Sequence, residues 1–381
     1  MFQTDDEVKS SSRDSQKRTS LLWDILIALA AVICFVVAAI FPLIANAATV
    51  SPPPALTAQL AKITGEDGAS GVTVMVFLRG QMLYRVDQGA IARDAELPVA
   101  SASKWMAAAL VMSLVDEGKL SLDEPIGKRL PEFTGGSASI TLRQILSFTS
   151  GQGSLRGLVD VRQDPRMSLA ESARQIAAIP LQDKPGTIFK YGSPALQVAG
   201  ALAEQATGKA WSELFDERLA RPLGMTHTRW ADPFEPNLPL SEVHNPNLQG
   251  GMVTTADDYA KFLGMLAAGG IYQGQRILSA KAVAAMETAQ TLGLPKGFAP
   301  PGVAGTKLEY ALGNWCESVE PDGECRLASS PGALGTYPWI DRKTGLYGIF
   351  FMRRRLPLVE EDIQKARWII MQSAVPQSAR P

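Results

Sequence analysis

Pro98-Val99-Ala100-Ser101-Ala102-Ser103-Lys104-Trp105-Met106-Ala107-Ala108-Ala109-Leu110 is the stretch on which the fold turns. From Ala102 to Glu117 it is rich in Ala, Met and Leu and is closed by Gly118, the pattern of a buried helix with Ser101 at or near its N-terminus. Lysine three residues after serine lies on the same helical face. A serine hydroxyl is a poor nucleophile at neutral pH and needs an adjacent base, so Ser101 and Lys104 form a candidate nucleophile–base pair. The unpaired N–H groups of a first helical turn also suit an oxyanion. Ser101 is the only serine in the chain with lysine at this spacing, and Tyr191-Gly192-Ser193 is the only place where tyrosine is followed by x-Ser or x-Asn. Tyr191 stands in a loop just before a helical run, where a second proton-handling group could meet the first.

Working outward, Gly71 to Leu78 is a continuous β-branched and apolar run, broken at Arg79-Gly80 and resumed at Gln81 to Val86, the pattern of a hairpin. It follows a short helix over 55–63. The region from Leu120 to about Gly305 is mostly helical in period, with runs at 142–148, 169–178, 193–207, 211–219, 255–268 and 279–288. Strand signals return after Cys325, at 335–340 and 345–352, and a closing helix spans 360–373. Strands at both ends with helices between them predict an α+β fold: an antiparallel sheet built from both chain ends, flanked by helices, with an inserted helical lobe.

The 381 residues carry a formal charge of -1, with 46% hydrophobic and 20% charged side chains. No basic field marks a nucleic-acid partner. Residues 1–20 are polar, and residues 25–44 are uncharged and long enough to span a bilayer. Lys17 and Arg18 precede that run, which favours a cytoplasmic N-terminus. Ala45-Asn46-Ala47 is a small-x-small pattern, so cleavage after Ala47 competes with retention of residues 21–44 as an inner-membrane anchor. The expected organisation is therefore a leader with signal peptide or anchor at 1–47, a linker at 48–54 and a folded domain at 55–375, in a periplasmic or other extracytoplasmic location. Cys34 lies in the apolar run. Cys316 and Cys325 flank a turn-rich stretch and are a disulfide candidate in an oxidising compartment.

Three further blocks stand in order, Ile140 to Gly151, Arg221 to Thr226 and Gly250 to Asp258, and the stretch Ser330-Pro331-Gly332-Ala333-Leu334-Gly335 follows them. With Ser101-x-x-Lys104 and Tyr191-x-Ser193, the chain from Leu56 to Met352 resembles the serine β-lactamase and penicillin-binding-protein superfamily. It is closest to the branch of class C β-lactamases, D-alanyl-D-alanine carboxypeptidases and related esterases. The resemblance implies a β-lactamase-like fold and a hydrolase that forms an acyl-enzyme at Ser101 without metal or organic cofactor, with Lys104 and Tyr191 as a coupled base. Ser193 would bond Lys104 or the small-molecule or peptide substrate, and the oxyanion would meet N–H groups of Ser101 and of the Ser330–Ala333 segment.

Two departures bear on substrate. Ser330 stands where the family has a basic residue that holds a substrate carboxylate, and Pro331 removes one donor while leaving the N–H of Ala333. Ser193 replaces an asparagine. The expected activity is therefore hydrolysis of a carboxylic ester or amide, with β-lactam or D-alanyl-D-alanine hydrolysis, and a catalytically impaired binding protein, as the alternatives. There is no G-x-S-x-G, H-E-x-x-H or G-x-x-x-x-G-K-[ST]. His227 and His244 are read as structural, and Arg353-Arg354-Arg355 as a solvated sheet edge.

Overall fold

The computed structural model describes residues 50–65, 68–153, 164–300 and 307–374. The leader read at 1–47, with its apolar run and Cys34, lies outside them. Among the described residues no helix is long and apolar enough to cross a membrane.

Residues from Val50 onward form one compact unit. Its frame is a seven-stranded antiparallel sheet of β1 (Gly71–Leu78), β2 (Gln81–Gly89), β3 (Glu309–Tyr310), β4 (Trp315–Val319), β5 (Cys325–Ser329), β6 (Tyr337–Asp341) and β7 (Leu346–Met352), in the order β3-β4-β5-β6-β7-β1-β2. The two chain ends meet where β1 pairs with β7, from Val72 opposite Met352 to Leu78 opposite Leu346. The fold is thus α+β and β-lactamase-like, with the sheet assembled from both termini.

Both faces of the sheet are covered, which explains why β1 and β7 read as unbroken apolar runs. Val72, Val74 and Val76 point to one face, where they pack with Leu56, Leu60 and Ile63 of helix α1 (Pro54–Ile63) and Ile363, Ala366 and Ile370 of the C-terminal helix. Met75, Ile349 and Phe351 point to the other face and join the core of the helical lobe. Helix α2 (Ser103–Asp116) runs through that lobe and is buried from Ser103 to Leu114. A helix that is apolar all round belongs in a core. Helices α3 (Ala195–Thr207) and α4 (Ala256–Ala267) flank it, and α5 (Glu360–Ala374) closes the chain.

The disulfide expected between Cys316 and Cys325 is formed, and the turn-rich stretch between them is the β4–β5 hairpin, with its turn near Asp322. Other expectations need correction. The run at 335–340 enters its strand only at Tyr337, because Gly335 sits in a turn with φ +95°. The helix expected at 211–219 is broken into Trp211–Phe215, a wider turn over Asp216–Ala220, and Arg221–Leu223. The middle region also holds a small sheet of Leu97–Pro98, Met252–Thr254 and Arg229–Trp230. Arg353 follows β7, an inner strand rather than an edge, so its neighbours Arg354 and Arg355 begin the connection to α5.

Strand β4, next to the edge strand β3, is fixed to α5 by a buried ion pair. Arg367 donates to Glu317 Oε1 at 2.9 Å and also to Oε2, and the Tyr337 hydroxyl donates to Glu317 Oε1 at 2.7 Å. Burial alone would raise the Glu317 carboxyl, but the charge and hydrogen bonds of Arg367, with that of Tyr337, outweigh it and hold the group below the usual carboxylate range. A carboxyl depressed on folding stabilises the native state above its unfolded pKa and loses that contribution as pH falls. Glu317→Gln is therefore expected to cost roughly 2 kcal/mol at neutral pH, the scale of a hydrogen bond to a charged group. Its stability should also decline less steeply than wild type below about pH 4.5. Parallel acid-unfolding curves for both proteins would contradict this.

Candidate active site

The site is built where the small sheet hands the chain to α2. Val99 N–H donates to Met252 O at 3.0 Å, and the chain then turns through Ala100, whose φ of +47° lies in the left-handed region. A side-chain-bearing residue held there is strained, and such strain concentrates at functional turns. Ser103 locks the turn: its hydroxyl donates to Ala100 O at 2.7 Å and accepts from Met252 N–H at 3.1 Å. Tyr259 of α4 adds a bond to Ala102 O at 2.8 Å. Ser101 is presented on the short 3-10 turn Ala100–Ala102, half-buried, immediately before α2 begins.

Lys104 lies one turn on, buried, with Nζ 2.9 Å from Ser101 Oγ and 2.7 Å from the carbonyl of Gln249. The Tyr191 ring covers it, its centroid 4.9 Å from Nζ. Tyr191 is placed by short backbone pairing: Lys190 N–H donates to Phe148 O and Tyr191 N–H to Phe298 O, each at 2.9 Å. Its ring stacks on Trp315 at 5.1 Å and 26°, with Phe148 at 5.1 Å and Tyr310 at 5.7 Å completing an aromatic surround. Burial pushes the phenol up to about 12, against the opposing effect of hydrogen bonding to Ser101 and Trp315. Tyr191 is consequently a neutral hydroxyl across the neutral pH range.

The end of β5 closes the other side. Ser330 is buried, its hydroxyl 3.4 Å from Ser101 O, and its N–H donates to Pro338 O at 3.2 Å. Gly332 lies flat against the Ser101 turn: a Cβ there would stand 2.1 Å from Val99 O. Gly332 N–H is taken by Thr336 O at 2.7 Å, whereas no backbone acceptor among the described residues takes the N–H of Ala333, which is exposed. The described geometry therefore brings Ser101, Lys104, Tyr191, Ser330 and Gly332 together, with no charged side chain at the Ser330 position.

The further blocks serve this centre. Thr141 and Gln144 form a capping box that starts the helix Leu142–Leu146, and the chain then delivers Phe148 to the Tyr191 ring. Thr255 caps α4 by accepting from Asp258 N–H at 3.1 Å, and Asp258 accepts from His227 N–H at 2.8 Å. His227 Nδ1 lies 2.9 Å from Glu96 Oε1, away from the nucleophile's partners. Ser193 Oγ accepts from Ala195 N–H at 3.4 Å, a local turn bond just ahead of α3. Two residues of the site carry no motif of their own. Trp315 and Gln249 are recognisable only as neighbours of Cys316 and of Gly250-Gly251.

This is the fold and the Ser-Lys-Tyr arrangement of the β-lactamase-like hydrolases. The family model named Beta-lactamase matches residues 55–369, and the chain belongs to that family. It is similar to a solved Bacteroides dorei protein described as a candidate β-lactamase, at 32% identity and TM-score 0.71, covering 82% of this chain and 97% of that one. It is also 35% identical over 182 residues to the esterase EstB of Burkholderia gladioli, a match spanning 41% of this chain and 45% of that esterase. A solved family VIII carboxylesterase shares the fold at TM-score 0.66 and 21% identity, covering 84% of this chain and 98% of its own.

Proposed function

We propose that this protein is a serine hydrolase that cleaves uncharged carboxylic esters or amides through an acyl-enzyme at Ser101. The observation that carries this is the 2.9 Å contact between Ser101 Oγ and Lys104 Nζ beneath the Tyr191 ring. Lysine in its amine form takes the hydroxyl proton as Oγ bonds to the substrate carbonyl carbon. The proton passes through the Lys104–Tyr191 pair to the departing alcohol or amine as its bond to that carbon breaks. Water then attacks the acyl-enzyme, freeing the carboxylic acid and returning the proton to Ser101. N–H groups of Ser101 and Ala333 serve the oxyanion in both steps.

Substrate preference follows from Ser330. A hydroxyl there offers a hydrogen bond but no cation, so the anionic carboxylate of a β-lactam or a D-alanyl-D-alanine peptide lacks its usual counter-charge. Incubation with a fluorophosphonate probe followed by peptide mapping is expected to place the label on Ser101, and labelling elsewhere or none would overturn the reading. Short-chain p-nitrophenyl esters are expected to turn over faster than nitrocefin. The reverse order would reassign the substrate, and inertness toward both, with no labelling, would favour a binding protein.

Because Tyr191 ionises only near 12, it acts here as a neutral relay. Tyr191→Phe is expected to lower kcat by roughly 10²-fold and to leave the limbs of the pH–rate profile below about pH 10 in place. A limb that vanishes in this variant would make the phenolate the base.

The proposal extends to location. Lys17-Arg18 ahead of an uncharged run and Ala45-Asn46-Ala47 after it support export, and the Cys316–Cys325 bond fits an oxidising space. Fractionation of expressing cells should recover the domain outside the cytoplasm, with the membranes if residues 21–44 are retained; a cytosolic pool alone would refute it.

A further inference from the structure

The turn Tyr191-Gly192-Ser193 ends in a short hydroxyl, and that hydroxyl accepts from Ala195 N–H at the start of α3. No amide on this turn ties it to the lysine. An amide reaches it from another element. Gln249, just ahead of Gly250, is 4% exposed, and its Nε2 donates to the carbonyl of Ser193 at 2.7 Å. The backbone carbonyl of the same residue accepts from Lys104 Nζ at 2.7 Å. Its own N–H donates to Asn247 Oδ1 at 3.1 Å, which fixes the residue between its two contacts. One residue thus spans the two halves of the proton-handling pair, holding the lysine with its main chain and the tyrosine's turn with its side chain.

The cost of this arrangement is visible. Gln249 Oε1 is buried and has no hydrogen-bond partner among the described residues. An unpaired buried carbonyl oxygen destabilises a fold; an aliphatic side chain of the same length would remove that penalty but take the Nε2 donor from the buried Ser193 carbonyl, so the two effects oppose each other. Packing alone therefore gives no reason for an amide here, whereas its N–H contact with Ser193 does.

We propose that the Gln249 side chain is a positioning residue for proton transfer, setting the distance between Lys104 and Tyr191 by clamping the Tyr191-Gly192-Ser193 turn. The inference rests on the Ser101–Lys104–Tyr191 reading above. It acts through the tyrosine's turn, so its loss shows in kcat and leaves substrate binding nearly intact.

The test measures p-nitrophenyl ester hydrolysis by the full protein and by its Ser101→Ala, Gln249→Met and Gln249→Glu variants, with a thermal melt of each. Gln249→Met is expected to lower kcat about tenfold, with KM within about twofold of wild type and a melting temperature close to wild type, because loss of the unpaired Oε1 offsets loss of the bond to Ser193 O. Gln249→Glu keeps the length but donates only when protonated. Its activity is expected to approach wild type at acid pH and to fall as the carboxyl ionises against the Ser193 carbonyl, adding a descending limb to the pH profile. Wild-type kcat in Gln249→Met, or a Gln249→Glu profile superimposable on wild type, would overturn the proposal while inactive Ser101→Ala upheld the parent reading. If Gln249→Met does not fold, the Gln249→Glu profile alone decides. An active Ser101→Ala would bring down the parent reading and this inference with it.

Discussion

Lys104→Met is expected to reduce kcat/KM for ester hydrolysis by roughly 10³–10⁴-fold while leaving the folded state about as stable as wild type. The activity loss follows from removing the amine placed 2.9 Å from Ser101 Oγ to accept its proton. The stability expectation comes from burial. Lys104 is 3% exposed, and an ammonium withdrawn from water is expensive even when hydrogen-bonded. Methionine fills the same channel without charge, at the cost of leaving the Gln249 carbonyl without its donor. These effects offset to within about 1 kcal/mol. Steady-state kinetics and a denaturant melt on the same preparation check both halves. A variant that keeps a tenth of wild-type kcat/KM would remove lysine from the chemistry, and one that unfolds would make it a structural residue.

Gly332→Val is the second large effect. The glycine's missing side chain is occupied by Val99 O, 2.1 Å from where a Cβ would lie, and Ala102 N is 3.5 Å away. Neither is a side chain that can rotate aside. Relief must come from moving the end of β5 off the Ser101 turn, or the turn off Met252, to which it is bonded. Overpacking of this kind costs about 1–3 kcal/mol, and the added β-branch places this case at the upper end. Displacing a nucleophile by even ~1 Å relative to its oxyanion donors costs about 10²-fold in rate. The expected result is thus at least about a hundredfold loss of kcat/KM in a protein that still folds, with fluorophosphonate labelling slowed in proportion. Undiminished labelling would show that the Ser330–Gly335 segment does not frame Ser101.

How much of this was legible in the sequence differs from element to element. The hairpin of β1 and β2 and the helix behind Ser101 follow from local pattern, since each is a run of one periodicity ended by glycine. The convergence of Ser101, Lys104 and Tyr191 could be anticipated from spacing and block order. Strands β3 and β4 could not. Glu317 sits in the middle of β4, and a buried carboxylate there makes sense only with Arg367, fifty residues on, beside it. The break near Asp216 is likewise invisible to a 3.6-residue period, because the segment winds one residue wider for a single turn. Gln249 escaped notice for a related reason: its contacts lie 145 and 56 residues away. What a polar residue does in a core is decided by whatever folds against it.

The pairing of β1 with β7 has a consequence for how the molecule comes into being. The first long strand to leave the ribosome waits for almost the last, nearly three hundred residues later, before it acquires its second neighbour. Closing so large a loop is slow, because chain entropy is lost before the contacts that repay it form. The sheet that frames Ser101 is therefore completed only when β7 reaches β1. A chain caught at any earlier length holds Ser101 and Lys104 in sequence but not in place, which gives a hydrolase that stays silent until its last strand arrives.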